Sequence, residues 1–254
     1  KLVQAKKENK LPKLVVPVHF SGQSCEMKDI WELSKEYGFK VIEDASHALG
    51  GEYKNKKVGC CEYSHITVFS FHPVKMITTG EGGAITTNDK DLDEKIKLLR
   101  SHGIIRNKEK FKNNNDGDWY YEQQVLGFNY RLSDIQAALG ISQLKRLDSF
   151  VLRRREIAKR YFDELNNSVL PYQHLDTNSS WHLFVIKTKD RKEVFERLKK
   201  QGIMTQVHYI PVIKQPIYNY KKLENSDNFY QHCLSLPIYV DLLNEEQTKV
   251  INNL

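Results

Sequence analysis

The sequence is poor in cysteine, and its few cysteines form no recognisable framework. They are Cys25, Cys60, Cys61 and Cys233. No pair has the Cys-x-x-Cys spacing of a zinc site, and adjacent cysteines such as Cys60 and Cys61 rarely pair with each other. We therefore expect no metal centre and no disulfide framework, which is typical of a protein of the reducing cytoplasm.

Long hydrophobic runs are missing as well. No segment contains the roughly 20 consecutive apolar residues that a membrane-spanning helix needs. The polar, basic stretch at residues 1–10 has no apolar core of a secretion signal behind it. The sequence predicts neither a membrane protein nor a secreted one, and its 254 residues suffice for one large or two small domains.

Signatures of nucleic-acid and nucleotide-hydrolysing proteins are also lacking. The formal net charge is +7, but the basic residues are scattered and form no basic-aromatic or helix-turn-helix pattern. We expect no direct nucleic-acid binding, since a phosphorylated small substrate would explain the same excess of positive charge. The GxxxxGK[ST] pattern does not occur, so a P-loop nucleotide triphosphatase is not indicated.

The first half of the chain has the pattern of a parallel α/β unit. Apolar residues at helical spacing predict a helix over 27–37, with Ser24 as its N-cap and Gly38 at its end. A strand before it and a strand after it make a βαβ unit, which requires parallel strands. Short apolar runs predict four strands in all, at 13–20, 39–42, 67–71 and 84–87.

The second half changes character. Asp91 and Glu94 predict a capping box for a helix that ends near Gly103, and residues 105–127 are predicted to be a long polar loop. A second capping box, Ser133 with Gln136, predicts a long amphipathic helix that runs towards Asn166. The remainder is predicted to be a small α+β unit, with a strand at 181–188, a helix at 191–201 and a strand at 204–208.

Candidate chemical groups are concentrated between residues 44 and 83. Asp44 immediately follows the predicted strand segment FKVIE, and ligands of parallel sheets bind at the carboxyl ends of strands. On position alone, Asp44 is equally well a turn cap, and His47 alone is more often structural. Lys75 follows His72-Pro73, which forces an extended or turn geometry, so it lies in a loop.

The glycine-rich run after Lys75, Thr78-Thr-Gly-Glu-Gly-Gly83, lets the backbone approach a ligand closely. A lone loop lysine is usually a solvated charge, and a glycine run is usually a hairpin turn. Neither explanation accounts for lysine, serine, threonines and glycines packed beside the Asp44 segment. We therefore predict a binding or catalytic site there.

Four blocks of the sequence resemble the DegT/StrS family of sugar aminotransferases, in order and in spacing. They are EDASHALGGEYKNKKVG at 43–59, FSFHPVKMITTGEGGAITTND at 69–89, LRSHGI at 99–104 and GFNYRLSDIQAALGISQL at 127–144. The segments HYIPV and SLPIYV near the C terminus are similar to that family too. HPVK followed by ITTGEGG most resembles the 4-aminotransferases of pseudaminic acid biosynthesis.

The resemblance implies pyridoxal 5'-phosphate as cofactor and a role for each matching residue. Lys75 corresponds to the Schiff-base lysine, which later moves a proton as general acid and base. Asp44 corresponds to the partner of the pyridine nitrogen, and His47 to the residue that contacts the ring hydroxyl. Ser70 corresponds to a ligand of the cofactor phosphate. Asn129 corresponds to the asparagine that reaches the phosphate in the partner subunit of a homodimer.

The resemblance also implies an aspartate-aminotransferase-like α/β fold, fold type I, with a mixed and mainly parallel sheet. We expect residues 1–132 to form the C-terminal portion of the large cofactor-binding domain. Residues 133–165 would form a bridging helix, and residues 166–254 a small C-terminal α+β domain. Family members are longer at the N terminus, so we expect part of the large domain and of the phosphate site to be missing.

The implied reaction is the transfer of an amino group, from glutamate, to C4 of a UDP-linked 4-keto-6-deoxy-HexNAc sugar. A first alternative is another keto sugar, or transfer at C3, with the same catalytic residues. A second alternative is a binding or regulatory module that has kept the fold and lost the chemistry. His208, Tyr209 and Pro211 resemble the family's substrate-side loop, but a packed strand end explains His208 equally well.

Overall fold

The structure, a computed structural model, describes residues 1–113, 116–218 and 222–254. Asn114 and Asn115, which belong to the predicted polar loop, lie outside the described residues. Within the described part of the chain, no helix is both long and apolar enough to cross a membrane.

The first half of the chain contains three α-helices and eight short strands. The helices are α1 Leu2–Lys7, α2 Met27–Tyr37 and α3 Lys90–Arg100. The strands are β1 Leu14–Val15, β2 Lys40–Asp44, β3 Glu52–Tyr53, β4 Lys56–Lys57, β5 Ile66–Ser70, β6 Gly83–Thr86, β7 Ile104–Ile105 and β8 Glu122–Gln123.

The second half is mainly helical. Its helices are α4 Asp134–Leu144, α5 Leu147–Glu164, α6 Arg191–Lys200, α7 Glu224–His232 and α8 Asn244–Asn252. Its strands are β9 Thr177–Asn178, β10 Phe184–Lys187 and β11 Cys233–Leu236.

The central sheet has the order β1-β2-β5-β6. β1, β2 and β5 are parallel, and β6 pairs with β5 in the antiparallel direction. The mixed sheet with parallel strands is therefore confirmed, and so is the βαβ unit formed by β1, α2 and β2. The helix α2 ends where the sequence predicts, because Gly38 adopts the left-handed conformation, with φ of 77°, and its N–H donates to the Ser34 carbonyl.

The prediction of a buried strand at 13–20 is wrong over most of its length. Only Leu14 and Val15 form β1, and beyond them a single bridge joins Val18 to Asp44. Val16 is 49% exposed and Val18 is 50% exposed. Pro17 carries no N–H for the ladder, which explains why regular pairing stops before it.

Two predicted helix N-caps are wrong. The Ser24 hydroxyl donates to the carbonyl of Cys25 rather than capping α2, which begins after Glu26. Helix α3 is capped by Asp89, whose side chain accepts hydrogen bonds from two backbone N–H groups of the first turn. Asp91, predicted to be the cap, already lies inside that turn.

The described residues of the predicted polar loop at 105–127 include regular structure. β7 and β8 form an antiparallel hairpin stem. The Glu122 carboxylate, buried behind it, accepts hydrogen bonds from the backbone of Lys112 and Asn113 and from the Tyr120 hydroxyl. This polar network organises the segment without any hydrophobic periodicity, which is why the sequence pattern did not reveal it.

The predicted single helix over 133–165 is two helices, α4 and α5, with a break at residues 145–146. The two helices differ in burial. Leu147 and Val151 of α5 lie in a core cluster, whereas Leu139 and Leu144 of α4 are exposed.

The C-terminal unit is built on the antiparallel pair β10 and β11. Its core is the largest in the described chain and is aromatic, with Tyr161 of α5 packed on Phe184 of β10. Helix α6 forms where predicted. The strand predicted at 204–208 is reduced to one bridge, between Gln206 and Ser235.

Candidate active site

Two of the predicted site residues lie at the same edge of the central sheet. Asp44 is the last residue of β2, and Ser70 is the last residue of β5. The two strands are parallel neighbours, with Asp44 opposite Val68, so their carboxyl ends open on one side. This is the edge where open α/β sheets bind ligands.

Asp44 is half-buried, and one of its two carboxylate oxygens is committed. Oδ1 accepts hydrogen bonds from the Ser46 backbone N–H at 3.0 Å and from the Ser46 hydroxyl at 2.6 Å. Among the described residues, Oδ2 has no hydrogen-bond partner. The carboxylate is thus held in one orientation, with an oxygen available to a ligand.

Lys75 lies in a turn between β5 and β6 and is half-buried. Its neighbours Met76 and Ile77 are buried in the cluster formed with Leu147 and Val151, which anchors the turn. Burial lowers the pKa of Lys75, and the charge of Asp44 acts in the opposite direction. The amine is therefore more available in its neutral, nucleophilic form than a solvated lysine.

The glycine-rich run folds back on the strand end that precedes Lys75. The Phe71 N–H donates to the carbonyl of Gly82, and the Thr79 N–H donates to the carbonyl of Phe71. Gly82 has a φ of 155°, and a Cβ there would lie 2.4 Å from the Thr79 hydroxyl. The run is thus a tight loop that fixes the Lys75 turn from both sides.

His47 is buried beside these groups in a ring cluster. Its Nδ1 accepts a hydrogen bond from the Ser21 N–H, so its proton lies on Nε2, which is 3.2 Å from the Tyr209 hydroxyl. Burial, reinforced by the charge of Lys75, lowers the pKa of His47 to about 4. The ring is neutral at pH 7.

His182 is the site residue that sequence reasoning missed. It is 5% exposed, its ring lies 4.5 Å from that of His47, and its Nδ1 has no hydrogen-bond partner within the described part of the chain. Burial lowers its pKa to about 2. In the sequence it stands alone beside Trp181, and only the fold brings it to His47, so no local pattern could have singled it out.

The segment around His208 closes the other side of the cluster. His208 Nδ1 lies 2.8 Å from the Ser235 hydroxyl, and burial, with the charge of Lys75, lowers the pKa of its ring. Tyr209 stands over His47, with ring centroids 6.0 Å apart. Both residues therefore belong to the wall of this site, where a packed strand end was an equally good prediction for His208 from the sequence alone.

Ser70 and Asn129 differ in their placement. The Ser70 oxygen accepts the His72 N–H at 3.4 Å, which leaves its own hydrogen free to donate to an anion. Asn129 is exposed, and its Oδ1 accepts a hydrogen bond from Arg131. The structure therefore gathers Asp44, His47 and Lys75 with Ser70 at the sheet edge, and shows no contact between Asn129 and them.

The residues present fit pyridoxal 5'-phosphate. A lysine of lowered pKa can attach to its aldehyde, and the open oxygen of Asp44 can pair with its protonated ring nitrogen. His47 places a neutral ring beside Lys75, with Nε2 paired to the Tyr209 hydroxyl, and the Ser70 hydroxyl is a free donor for the phosphate. Lys75, Asp44 and Ser70 thus match the aldehyde, the ring nitrogen and the phosphate of one cofactor.

Comparisons with known proteins point in the same direction. The model of the DegT/DnrJ/EryC1/StrS aminotransferase family matches residues 2–254. A UDP-4-amino-4,6-dideoxy-N-acetyl-beta-L-altrosamine transaminase of Campylobacter jejuni is 42% identical over 241 residues, which cover 89% of this chain and 60% of that protein. The chain spans 60% to 65% of the length of the curated relatives that it matches.

Solved structures agree with the sequence matches. Helicobacter pylori PseC, an aminotransferase involved in the biosynthesis of pseudoaminic acid, superposes with a TM-score of 0.86 at 36% identity, over 96% of this chain and 66% of that one. A putative sugar aminotransferase of Streptococcus pneumoniae in its PLP form gives a TM-score of 0.81 at 26% identity, over 94% and 67%.

Proposed function

Because the chain belongs to the DegT/DnrJ/EryC1/StrS aminotransferase family, we propose that it carries the catalytic centre of a pyridoxal-phosphate-dependent sugar aminotransferase. The observation that carries the proposal is the Lys75 amine, half-buried near Asp44 with a lowered pKa. A solvated surface lysine would have neither feature. The PLP and PMP forms of one structural neighbour support the choice of cofactor.

The bound cofactor would supply an electron sink, through which an amino group passes from a donor to a keto sugar. Lys75 is the residue that would hold it, through Nζ. Once free, the Lys75 amine would take up or release the proton of the substrate carbon as general acid and base. A lowered pKa suits both tasks, because the amine must be able to lose its proton near pH 7.

The other three side chains would orient the bound cofactor. Asp44, held by Ser46, would keep the ring nitrogen protonated through its second carboxylate oxygen. His47 would contact the ring hydroxyl in place of the Tyr209 hydroxyl, and as a neutral group it adds no positive charge beside Lys75. The Ser70 hydroxyl would donate to the phosphate.

The proposed substrates are glutamate and a UDP-linked 4-keto-6-deoxy-HexNAc sugar, aminated at C4 for a nonulosonate of the pseudaminic acid type or another surface glycan. Support comes from the relatives whose names specify a UDP-amino-sugar transaminase. The free cysteines of the described chain are compatible with the cytoplasm, where we place this reaction.

We further propose a homodimer in which Asn129 completes the partner's phosphate site. Within one chain Asn129 is exposed and is not joined to Lys75. The flanking rings of Phe128 and Tyr130 stack on each other at 4.8 Å and are 55% and 72% exposed. Exposed aromatic surface around a polar site residue is typical of a protein interface.

The proposal is tested by adding pyridoxal phosphate and recording the visible absorbance. We expect a new visible band in the unsubstituted protein and in Lys192→Ala, an exposed lysine of α6, and no such band in Lys75→Ala. An unchanged band in Lys75→Ala would contradict the role of that residue.

The substrate is tested separately. Glutamate should convert the loaded protein to its amino form, which a non-catalytic module would not undergo. Product analysis with a panel of UDP-keto sugars then distinguishes C4 from C3 transfer and one sugar from another.

A further inference from the structure

A basic groove lies between the C-terminal end of α3 and the hairpin of β7 and β8, away from the four residues assigned to the cofactor. Its cavity volume is about 630 Å³. We call it the α3 groove. Five of its lining residues are cations: Lys95, Lys97, Arg106, Lys110 and Arg131.

Two of these cations are already neutralised by carboxylates. Lys97 pairs with Asp93 at 2.7 Å, and Lys110 pairs with Glu94 at 2.6 Å. The other three, Lys95, Arg106 and Arg131, have no carboxylate partner in the described part of the chain. The α3 groove therefore presents three uncompensated positive charges.

The two arginines are held in place by neighbours that leave their charge free. The guanidinium of Arg106 lies 5.3 Å from the centre of the Tyr121 ring. Arg131 uses Nε to donate to Asn129 at 3.0 Å, so both terminal nitrogens remain available. This planar pair of donors matches two oxygens of a phosphate, which a lysine cannot do.

The backbone fixes the two walls of the α3 groove against each other. The His102 N–H donates to the Phe128 carbonyl at 2.8 Å, and the Tyr130 N–H donates to the Arg100 carbonyl at 2.9 Å. Ser101 and Asn129 form a bridge between these bonds. Arg131 is thus attached to the end of α3 rather than carried on a free loop, and its position is set before a ligand arrives.

We propose that the α3 groove binds the diphosphate of the nucleotide sugar, an inference that rests on the proposed function. Three uncompensated cations are sufficient to neutralise the diphosphate of a nucleotide sugar, and Leu98, Ile104 and Ile105 offer apolar surface to the attached nucleoside. Arg131 is hydrogen-bonded to Asn129, the residue proposed to reach the cofactor of the partner subunit. The α3 groove therefore adjoins the proposed dimer interface. In the dimer, one chain would bind the nucleotide and the other would supply Lys75.

The test is calorimetric titration of the purified protein with UDP, and in parallel with pyridoxal phosphate. Arg106→Gln and Arg131→Gln should each weaken UDP binding about tenfold, the loss expected for one charge-assisted phosphate contact. The control is Lys90→Gln, an exposed lysine at the opposite end of α3, which should bind UDP as the unsubstituted protein does. Circular dichroism checks that each variant is folded.

Three results would overturn the inference. The first is that the unsubstituted protein does not bind UDP. The second is that both arginine variants bind UDP with the affinity of Lys90→Gln. The third is that the arginine variants lose affinity for pyridoxal phosphate alone, which would assign the α3 groove to the cofactor phosphate. Lys75→Ala should keep its UDP affinity. Failure of the absorbance test and failure of the titration are therefore distinguishable.

Discussion

The buried histidines show at the scale of single residues how the site controls charge. His47 and His182 lie with ring centroids 4.5 Å apart, and the charge of Lys75 acts on both. Two protonated rings at that distance would repel each other and would also repel a protonated lysine. Burial keeps both rings neutral, so neither ring adds positive charge beside Lys75.

This arrangement predicts a specific loss of stability in mild acid. The pKa of His47 is lowered to about 4 and that of His182 to about 2, from an ordinary 6.5. Below pH 6.5 the unfolded chain binds two protons that the folded chain excludes, so stability falls as pH drops from 6.5 towards 4. Each histidine should contribute roughly 1.4 kcal/mol per pH unit in that window.

Urea unfolding at pH 7.0, 6.0 and 5.0 measures the effect. His182→Gln should reduce the dependence of the unfolding free energy on pH, because one excluded proton is gone. His72→Gln, a histidine reached by solvent, is the control. A variant that kept the full pH dependence would show that His182 is charged in the folded protein.

Single residues also mark the limit of what the sequence predicts. Asp44 and Lys75 could be found because each follows a predicted strand, whereas Ser70, inside the strand predicted at 67–71, was assigned its role by resemblance. The structure places Asp44 and Ser70 at one edge of the sheet. His182 could not be found, because it is more than 100 positions away from Lys75 in the chain. Asn129 was found by resemblance alone, and its role stays a prediction.

The start of α4 links local sequence to the site at the scale of elements. Ser133 and Gln136 form the capping box that the sequence predicts. Gln136 Nε2 also donates to the Glu81 carbonyl at 2.8 Å, inside the glycine-rich loop that follows Lys75. The cap of α4 therefore stabilises the helix and also fixes the loop beside the proposed catalytic residue.

Ser133→Ala should accordingly lower the unfolding free energy by about 1 kcal/mol, the usual cost of losing an N-cap side chain. The matched control is Ser142→Ala in the interior of the same helix, where alanine favours the helix slightly. Chemical denaturation of the two variants measures the difference. Equal stabilities would mean that the capping box contributes nothing.

Element boundaries were predicted less well than element types, for local reasons. Asp89 rather than Asp91 caps α3 because its extended backbone lets its carboxylate reach the first N–H groups. Pro17 ends β1 early. The break between α4 and α5 falls at Lys145 and Arg146, where the sequence has neither glycine nor proline to mark it.

At the scale of the whole molecule, the site is formed where the two halves of the chain meet. The Ser180 N–H donates to the Gly22 carbonyl at 3.1 Å, and the Ser180 hydroxyl donates to the His47 carbonyl at 3.1 Å. Gly22 has a φ of 102°, and a Cβ there would lie 2.6 Å from the Ser180 Oγ. The absence of a side chain at Gly22 permits the contact that brings His182 to His47.

In the proposed dimer, the site would also be shared between two chains. If Asn129 completes the partner's phosphate site, one site consists of Lys75 from one chain and Asn129 from the other. Lys75→Ala and Asn129→Ala proteins should then each be impaired alone. In a mixed dimer, the Asn129→Ala chain supplies Lys75 and its partner supplies Asn129, so one complete site is restored.

The two variants should therefore be unfolded together, refolded together, and assayed for the spectral change that glutamate produces. Activity should exceed that of either variant refolded alone. If each site used its own Asn129, a mixed dimer would contain one site without the lysine and one without the asparagine, and mixing would restore nothing. Because the two models give opposite results with the same pair of proteins, this experiment decides whether the exposed Asn129 acts across the interface.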